Sequence, residues 1–404
     1  MDFEFPPPIL VEDSQNFARL LSDLDRADEI AVDTEGDSFF SYPEKVCLIQ
    51  ITALERDWLV DPLAGFDISG LGRALADPAK LKVFHDGEYD VVSLKRDHGF
   101  QFRHLFDTRV AAAALGTANP GLASVLEDRF QIKLDKSLQR SEWSRRPLTA
   151  KQIRYAQLDT HFLVQLMRKQ NEELVAQRRL MIVEGECRRL ERPEPPDASF
   201  DPDEFVRIKG ARDLHPVERR ILRELYVLRE KLALEFGRPP FKVMGNDSLV
   251  ALAIEKPKTM FQLGRIDGIS HGQARRLGAE ILAAIERATE LGPMAKLPRL
   301  PSRDGTSGFT EQEGELHERL KNWRKGAAAQ MGIDSAYLVN RHVLLRIASQ
   351  RPRTTEALAR IEGIEPWQVE TFGRAILGAV EAFEGDLAAG RIQFRRRPKG
   401  NRVD

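Results

Sequence analysis

Glu29-Ile-Ala-Val-Asp-Thr-Glu35 alternates with a period of two, which sets Ile30, Val32 and Thr34 on one face of a strand and Ala31, Asp33 and Glu35 on the other. Ile30 and Val32 predict that this strand is central in a sheet. A central strand rarely carries two carboxylates on one face unless a positive charge offsets them, and a divalent cation would do so. The competing reading is that Asp33-Thr-Glu-Gly-Asp37 opens a polar loop. Working outward, residues 45–52 and 57–61 read as two more strands, with short connections that suit an antiparallel meander. Residues 81–85 are a fourth strand candidate, and helical patterns follow over 88–97, 107–116, 121–130 and 150–190. The expected architecture is a mixed α/β sheet flanked by helices.

Two more acidic features lie downstream. In His85-Asp-Gly-Glu-Tyr-Asp90, Asp90 falls in the first turns of a helix that follows a strand, with Val91 and Val92 beside it. That places it nearer the buried face than its competitors Asp86 and Glu88, although an acid there also suits the helix dipole. Tyr155 and Asp159, four apart, share one face of a helix made apolar by Ile153, Leu158, Phe162, Leu163 and Leu166. A core tyrosine beside a surface aspartate is the plainer alternative. Taken together, four carboxylates from three elements supply the oxygen ligands that two hard cations need.

The rest of the chain divides at two linkers, 192–199 and 292–308, both rich in proline. Beyond the first, the sequence repeats itself at a shift of 95 positions: Arg265-Ile-Asp-Gly-Ile falls on Arg360-Ile-Glu-Gly-Ile, and Gln273, Gly278 and Ile281 fall on Gln368, Gly373 and Ile376. One small domain is present twice, and helical spacing such as Ile221, Leu225, Leu228 and Leu232 predicts a bundle of about five short helices in each copy. Asp247-Ser248 is the expected cap of the helix over 249–256, and the Gly-Ile turn at 268–269 leads into the last helix. Lys256, Lys258, Arg351 and Arg353 occupy matched positions where they can meet phosphate, as can the N–H groups that follow each Gly-Ile turn.

Composition sets the outer bounds. The chain has 404 residues, 42% hydrophobic and 30% charged, which excludes collagen, a mucin stalk and wholesale disorder. No apolar run reaches the ~18–20 residues that span a bilayer, so no membrane partner is expected. The acidic, proline-rich start is not a signal peptide, and the cytoplasm is the expected compartment. Cys47 and Cys187 are too few for a disulfide framework or a zinc site. Residues 1–200 carry 34 acids and 26 bases, whereas 201–404 carry 28 and 35. An acidic half suited to cations is therefore joined to a basic half suited to a polyanion.

The ordered set Asp33-Thr-Glu35, Asp90 and Tyr155…Asp159, with Ser141-Glu-Trp-Ser-Arg-Arg-Pro-Leu148 before the last motif, resembles ribonuclease D. This is a 3′→5′ exoribonuclease family of the DEDD superfamily, in the subgroup whose last motif carries a tyrosine. The repeats resemble the helicase-and-RNase-D C-terminal (HRDC) domain. The resemblance implies a ribonuclease-H-like exonuclease domain over 1–192, HRDC-like bundles over 205–292 and 309–386, and a basic tail over 387–404.

It also implies two Mg²⁺ or Mn²⁺ ions. Asp33, Glu35 and Asp159 would hold one, and Asp33 and Asp90 the other, with Tyr155 hydrogen-bonded to the attacking water. Thr34 is the implied contact to the end nucleotide, with Gln50 and His85 as further substrate contacts; a structural role is the alternative for His85. The implied substrate is RNA, in particular the 3′ ends of tRNA precursors, cut by a monomer into nucleoside 5′-monophosphates. A DNA 3′→5′ exonuclease and a noncatalytic nucleic-acid-binding scaffold are the rival readings.

Overall fold

The computed structural model describes residues 6–192, 199–298, 300 and 309–392. In chain order, the first region contains β1 (Ile9–Val11), α1 (Ser14–Arg26), β2 (Glu29–Gly36), β3 (Val46–Ala53), β4 (Arg56–Val60), α2 (Leu71–Ala76), β5 (Leu81–Phe84), α3 (Glu88–His98) and β6 (Leu105–Asp107). It continues with α4 (Thr108–Ala114), α5 (Leu122–Phe130), α6 (Ala150–His161), α7 (Leu163–Ala176) and α8 (Leu180–Leu190). The sheet order is β1-β4-β3-β2-β5-β6. The meander β2-β3-β4 is antiparallel, and β1, β5 and β6 join in parallel. This is the mixed sheet flanked by helices, with β2 central.

Three expectations need correction. β1 and β6 were not anticipated; each is three residues long, too short to show alternation. The apolar pattern over 150–190 is three helices rather than one, because the chain breaks at Phe162 and again near Arg179. The cap expected from Asp247-Ser248 is absent: that helix starts at Asn246 behind Gly245, and the Ser248 hydroxyl donates instead to the Gly268 carbonyl at 3.1 Å.

The two bundles keep the repeat in three dimensions. The first has α9 (Pro216–Phe236), α10 (Pro240–Val243), α11 (Asn246–Glu255), α12 (Met260–Leu263) and α13 (His271–Glu290). The second has α14 (Glu311–Met331), α15 (Arg341–Gln350), α16 (Thr355–Ala359) and α17 (Pro366–Ala388). α9 and α14 begin and end at positions 95 apart, as do α11 and α15. Each bundle has its own core, around Leu225, Leu252 and Ile281 in the first and Leu320, Leu344 and Ile376 in the second.

Two of the four cations expected to meet phosphate, Lys256 and Arg351, pair closely within the bundles. Lys256 Nζ sits 2.9 Å from Glu218, and Arg351 Nη1 3.2 Å from Glu384. The helices after the Gly-Ile turns open with capping boxes, Ser270 with Gln273 and Glu365 with Gln368, which supply acceptors to the N–H groups of the cap residue and of the third helical residue. α17 extends two residues into the span read as tail, and residues 393–404 lie outside the described residues. Among the described residues no helix is long and apolar enough to cross a membrane.

The bundles attach to different elements of the first region. The loop 37–45 meets the first, where the Tyr42 hydroxyl donates to the Glu230 carboxylate. α8 meets the second, where Arg188 Nη2 lies 2.7 Å from Glu365.

Candidate active site

β2 carries Asp33 and Glu35 on one face, and the register sets Asp33 opposite Gln50 and Glu35 opposite Leu48. The register shifts between Glu35 and Gly36, where Cys47 of β3 is the extra residue of a bulge just after the second carboxylate.

α6 lies over that same face. Thr149 and Gln152 form its capping box. Thr160 Oγ1 meets Thr52 Oγ1 at 2.8 Å, and Gln157 Nε2 and His161 Nδ1 each reach Asp57 at 2.7 Å. Pinned this way, α6 presents Tyr155 and Asp159 toward β2. The stretch before it steadies Tyr155: the Trp143 ring is buried with its centroid 5.9 Å from the tyrosine ring, and Arg146 is held between Asp61 and the Cys47 carbonyl.

Asp90 arrives from the other side on α3. The turn into α3 needs glycine at position 87, where a Cβ would fall 2.5 Å from the Phe84 Cβ. The Asp107 carboxylate accepts the Asp86 and Gly87 N–H groups at 3.1 and 2.9 Å while capping α4, which ties the two helix starts together. The Thr34 hydroxyl donates to the Asp90 carboxylate.

The ligating atoms of Asp33, Glu35 and Asp159 lie within 4.8 Å of one another. One Asp159 oxygen is buried with no hydrogen-bond partner. Burial pushes Asp159 up to about 8, with repulsion from Asp90 adding to it. Burial, then the charges of Asp159 and Asp90, pushes Glu35 up to about 9. Asp33 is raised strongly, by burial first and then by all three other carboxylates. Burial pushes Asp90 up to about 7, against the lowering effect of the Thr34 hydroxyl. An all-oxygen set of crowded, under-neutralised acids fits a hard divalent cation, which would draw every one of them back to the ionised form.

The cleft is lined by Asp33, Thr34, Glu35, His85, Tyr155 and Asp159, and also by Arg109, its one lysine or arginine among the described residues. Sequence reasoning passed over Arg109. Its position at the start of α4 carries no motif, and only the fold brings it beside the acids. Its guanidinium lies 3.1 Å from Asp86 and 3.5 Å from the Tyr337 hydroxyl of the second bundle. Burial pushes His85 down to about 4, so the ring is neutral. Its Nδ1 sits 2.9 Å from Thr108 Oγ1, which also lies 2.9 Å from the Phe84 carbonyl. The substrate contact expected of Gln50 is corrected. That side chain is fully enclosed behind Asp33 and does not line the cleft. Asp86 and Glu88 are turned to Arg109 and Arg189.

Residues 8–174 match the 3′-5′ exonuclease family, and residues 218–285 and 313–380 each match the HRDC domain. Ribonuclease D of Zymomonas mobilis is 34% identical over 92% of this chain and 94% of its own. This chain belongs to the ribonuclease D family. Ribonuclease D of Sphingobium indicum is 30% identical over 96% of this chain and 98% of its own. The crystal structure of Escherichia coli RNase D, described as an exoribonuclease involved in structured RNA processing, is similar with a TM-score of 0.67 and 25% identity, covering 95% of this chain and 99% of that one. The protein is a metal-dependent 3′→5′ exoribonuclease with two HRDC domains, and its substrate is RNA.

Proposed function

We propose that this exoribonuclease trims the 3′ ends of structured RNAs such as tRNA precursors, as a monomer, with two Mg²⁺ or Mn²⁺ ions held by Asp33, Glu35, Asp90 and Asp159. The observation that carries the cation site is the approach of Asp33, Glu35 and Asp159 within 4.8 Å, with Asp90 tied beside them through the Thr34 hydroxyl. Cations held there supply Lewis-acid chemistry, acidifying water and neutralising a phosphodiester under attack.

The chain's own residues do the rest. Burial and the nearby carboxylates raise Tyr155 far above its ordinary value, so its hydroxyl keeps its proton and acts by hydrogen-bonding and aligning the attacking water. Arg109 offsets the charge of the backbone phosphate in the cleft. Thr34, its own proton committed to Asp90, presents a hydroxyl oxygen to the end nucleotide. His85 stands in the cleft wall, where it can meet the end nucleotide. Nucleoside 5′-monophosphates leave one at a time.

Structured RNA as the natural substrate is supported by the likeness to the Escherichia coli enzyme. The division into units at 1–192, 205–292 and 309–386 is supported by three separate hydrophobic cores, with the last unit reaching Ala388.

The test incubates purified protein with 3′-labelled tRNA precursor, unstructured RNA and matched DNA, in Mg²⁺, Mn²⁺ or EDTA. Monophosphate release from RNA that stops in EDTA and at the mature tRNA end is the expected result. Equal cutting of DNA, or trimming in EDTA, would overturn it.

A further inference from the structure

We propose that Phe39 and Phe241 form a base-stacking shelf for the unpaired nucleotides immediately 5′ of the scissile linkage. The rings come from different units: Phe39 from the loop 37–45 that follows β2, and Phe241 from α10 of the first bundle. They meet edge to face, with centroids 6.5 Å apart and planes at 75°. A contact between two units ordinarily hides aromatic rings, yet Phe39 stays 45% exposed and Phe241 55%.

Cations stand around them. The Arg140 guanidinium lies 5.6 Å from the Phe39 ring centroid, and Lys242 Nζ lies 4.4 Å from the neighbouring Phe40 ring. Among the described residues neither Arg140 nor Lys242 has an ion-pair partner, unlike the matched cations Lys256 and Arg351 of the bundles. Exposed rings interleaved with unneutralised cations are the chemistry that holds single-stranded nucleic acid without reading its sequence: bases stack, and cations track the phosphates.

The location suits the activity. Phe39 follows Glu35 by four residues, so their Cα atoms are no more than about 14 Å apart. Arg140 follows Gln139, which lines the cleft. The shelf thus adjoins in sequence two residues of the cleft wall, Glu35 and Gln139, and the proposal sets the nucleotides that leave the cleft on it.

The shelf is also held in place. The Asp37 carbonyl accepts the Phe40 and Ser41 N–H groups at 2.7 and 2.9 Å, and its carboxylate accepts the Lys45 N–H at 2.9 Å. The Tyr42 N–H donates to the Gly237 carbonyl of the first bundle at 3.2 Å. Ring positions fixed before binding reduce the ordering cost of stacking. A base inside a duplex is already stacked and paired, so this surface selects unpaired 3′ tails. The inference rests on the exoribonuclease activity and is independent of the tRNA reading.

The test measures kcat and KM for release of the first nucleotide by the full-length protein in Mg²⁺. It uses an unpaired oligoribonucleotide and the same strand lacking bases at the second to fourth positions from the 3′ end. Phe39→Leu and Phe241→Leu keep apolar bulk and lose the π-face, and Phe39→Trp keeps it. The leucine variants are expected to raise KM for the intact strand roughly ten-fold, from the range of stacking energies per base. The abasic strand is expected to raise the native KM similarly and to be insensitive to either leucine substitution, with Phe39→Trp behaving as native. An unchanged KM, or an equal rise on both strands, would overturn the shelf. Failure of the cation site itself reads differently, as a loss of kcat on both strands alike.

Discussion

At the end of β2 three carboxylates crowd within 4.8 Å of one another, and among the described residues none of them pairs with a lysine or arginine, whereas in the two bundles the matched cations Lys256 and Arg351 each face a carboxylate at 2.9 and 3.2 Å. One chain thus neutralises charge where charge serves only the fold and leaves it unneutralised where cations are to bind. Repulsion in the acidic pocket works against the folded state, and the pairs in the bundles work weakly for it. Substitutions in the two regions should therefore move stability and activity in opposite ways.

The largest effect is expected from Asp33→Asn and Asp159→Asn. Removing a ligand forfeits several kcal/mol of charge stabilisation, so turnover should fall about a thousand-fold or more. Relief of repulsion should leave the melting temperature unchanged or higher, as read by calorimetry on the metal-free protein. Activity surviving either change would erase the contrast drawn here. Tyr155→Phe should lower kcat by about a hundred-fold while Mn²⁺ affinity stays as in the native protein, which separates aligning a water from holding an ion. An unchanged kcat would remove Tyr155 from the chemistry.

A smaller effect concerns pH. Glu35 is pushed up to about 9 and Asp159 to about 8, against ordinary values of 4.5 and 3.8. Between those limits the folded chain keeps protons that the unfolded chain has released, so the pocket costs stability increasingly as pH rises. In EDTA the native protein should lose about 5 °C or more of melting temperature between pH 5 and 9, and Asp159→Asn should flatten that slope. Mg²⁺ should reverse it, because cations bind the ionised form. Parallel slopes for native and variant would contradict the raised values. The smallest effect is expected from Lys256→Met in the first bundle. It breaks a partly exposed ion pair, so melting should fall by no more than about 2 °C with kcat unchanged.

The sequence made some of this legible and hid the rest, for physical reasons. β2 announces itself by its alternation, and β3 and β4 by short runs of strand-forming residues with brief connections. The repeat is legible because two copies keep the same turns, down to the left-handed glycines Gly268 and Gly363 with φ of 77° and 85°. β1 and β6 are too short to carry a period, and the break at Phe162 leaves no mark because apolar residues continue across it. Ser248 looked like a cap because its type suits one, yet the Gly268 carbonyl takes its proton.

At the site, the acids and Tyr155 were readable from their spacing. Gln50 lies opposite Asp33 in register, as a contact near the site would, but the strand seals its side chain inside the sheet. Arg109 and the pair Phe39–Phe241 belong to no local pattern. Each acquires its neighbours only when distant elements pack: α4 against the cleft, and α10 against the loop after β2.

The pocket as a cation site is tested most directly by titrating Mn²⁺ into metal-free full-length protein and counting bound ions by calorimetry and electron paramagnetic resonance, beside Asp159→Asn. Two ions per native chain, and at least one fewer in the variant, are predicted. A native chain that binds none, or a variant that binds as the native chain does, would contradict the account.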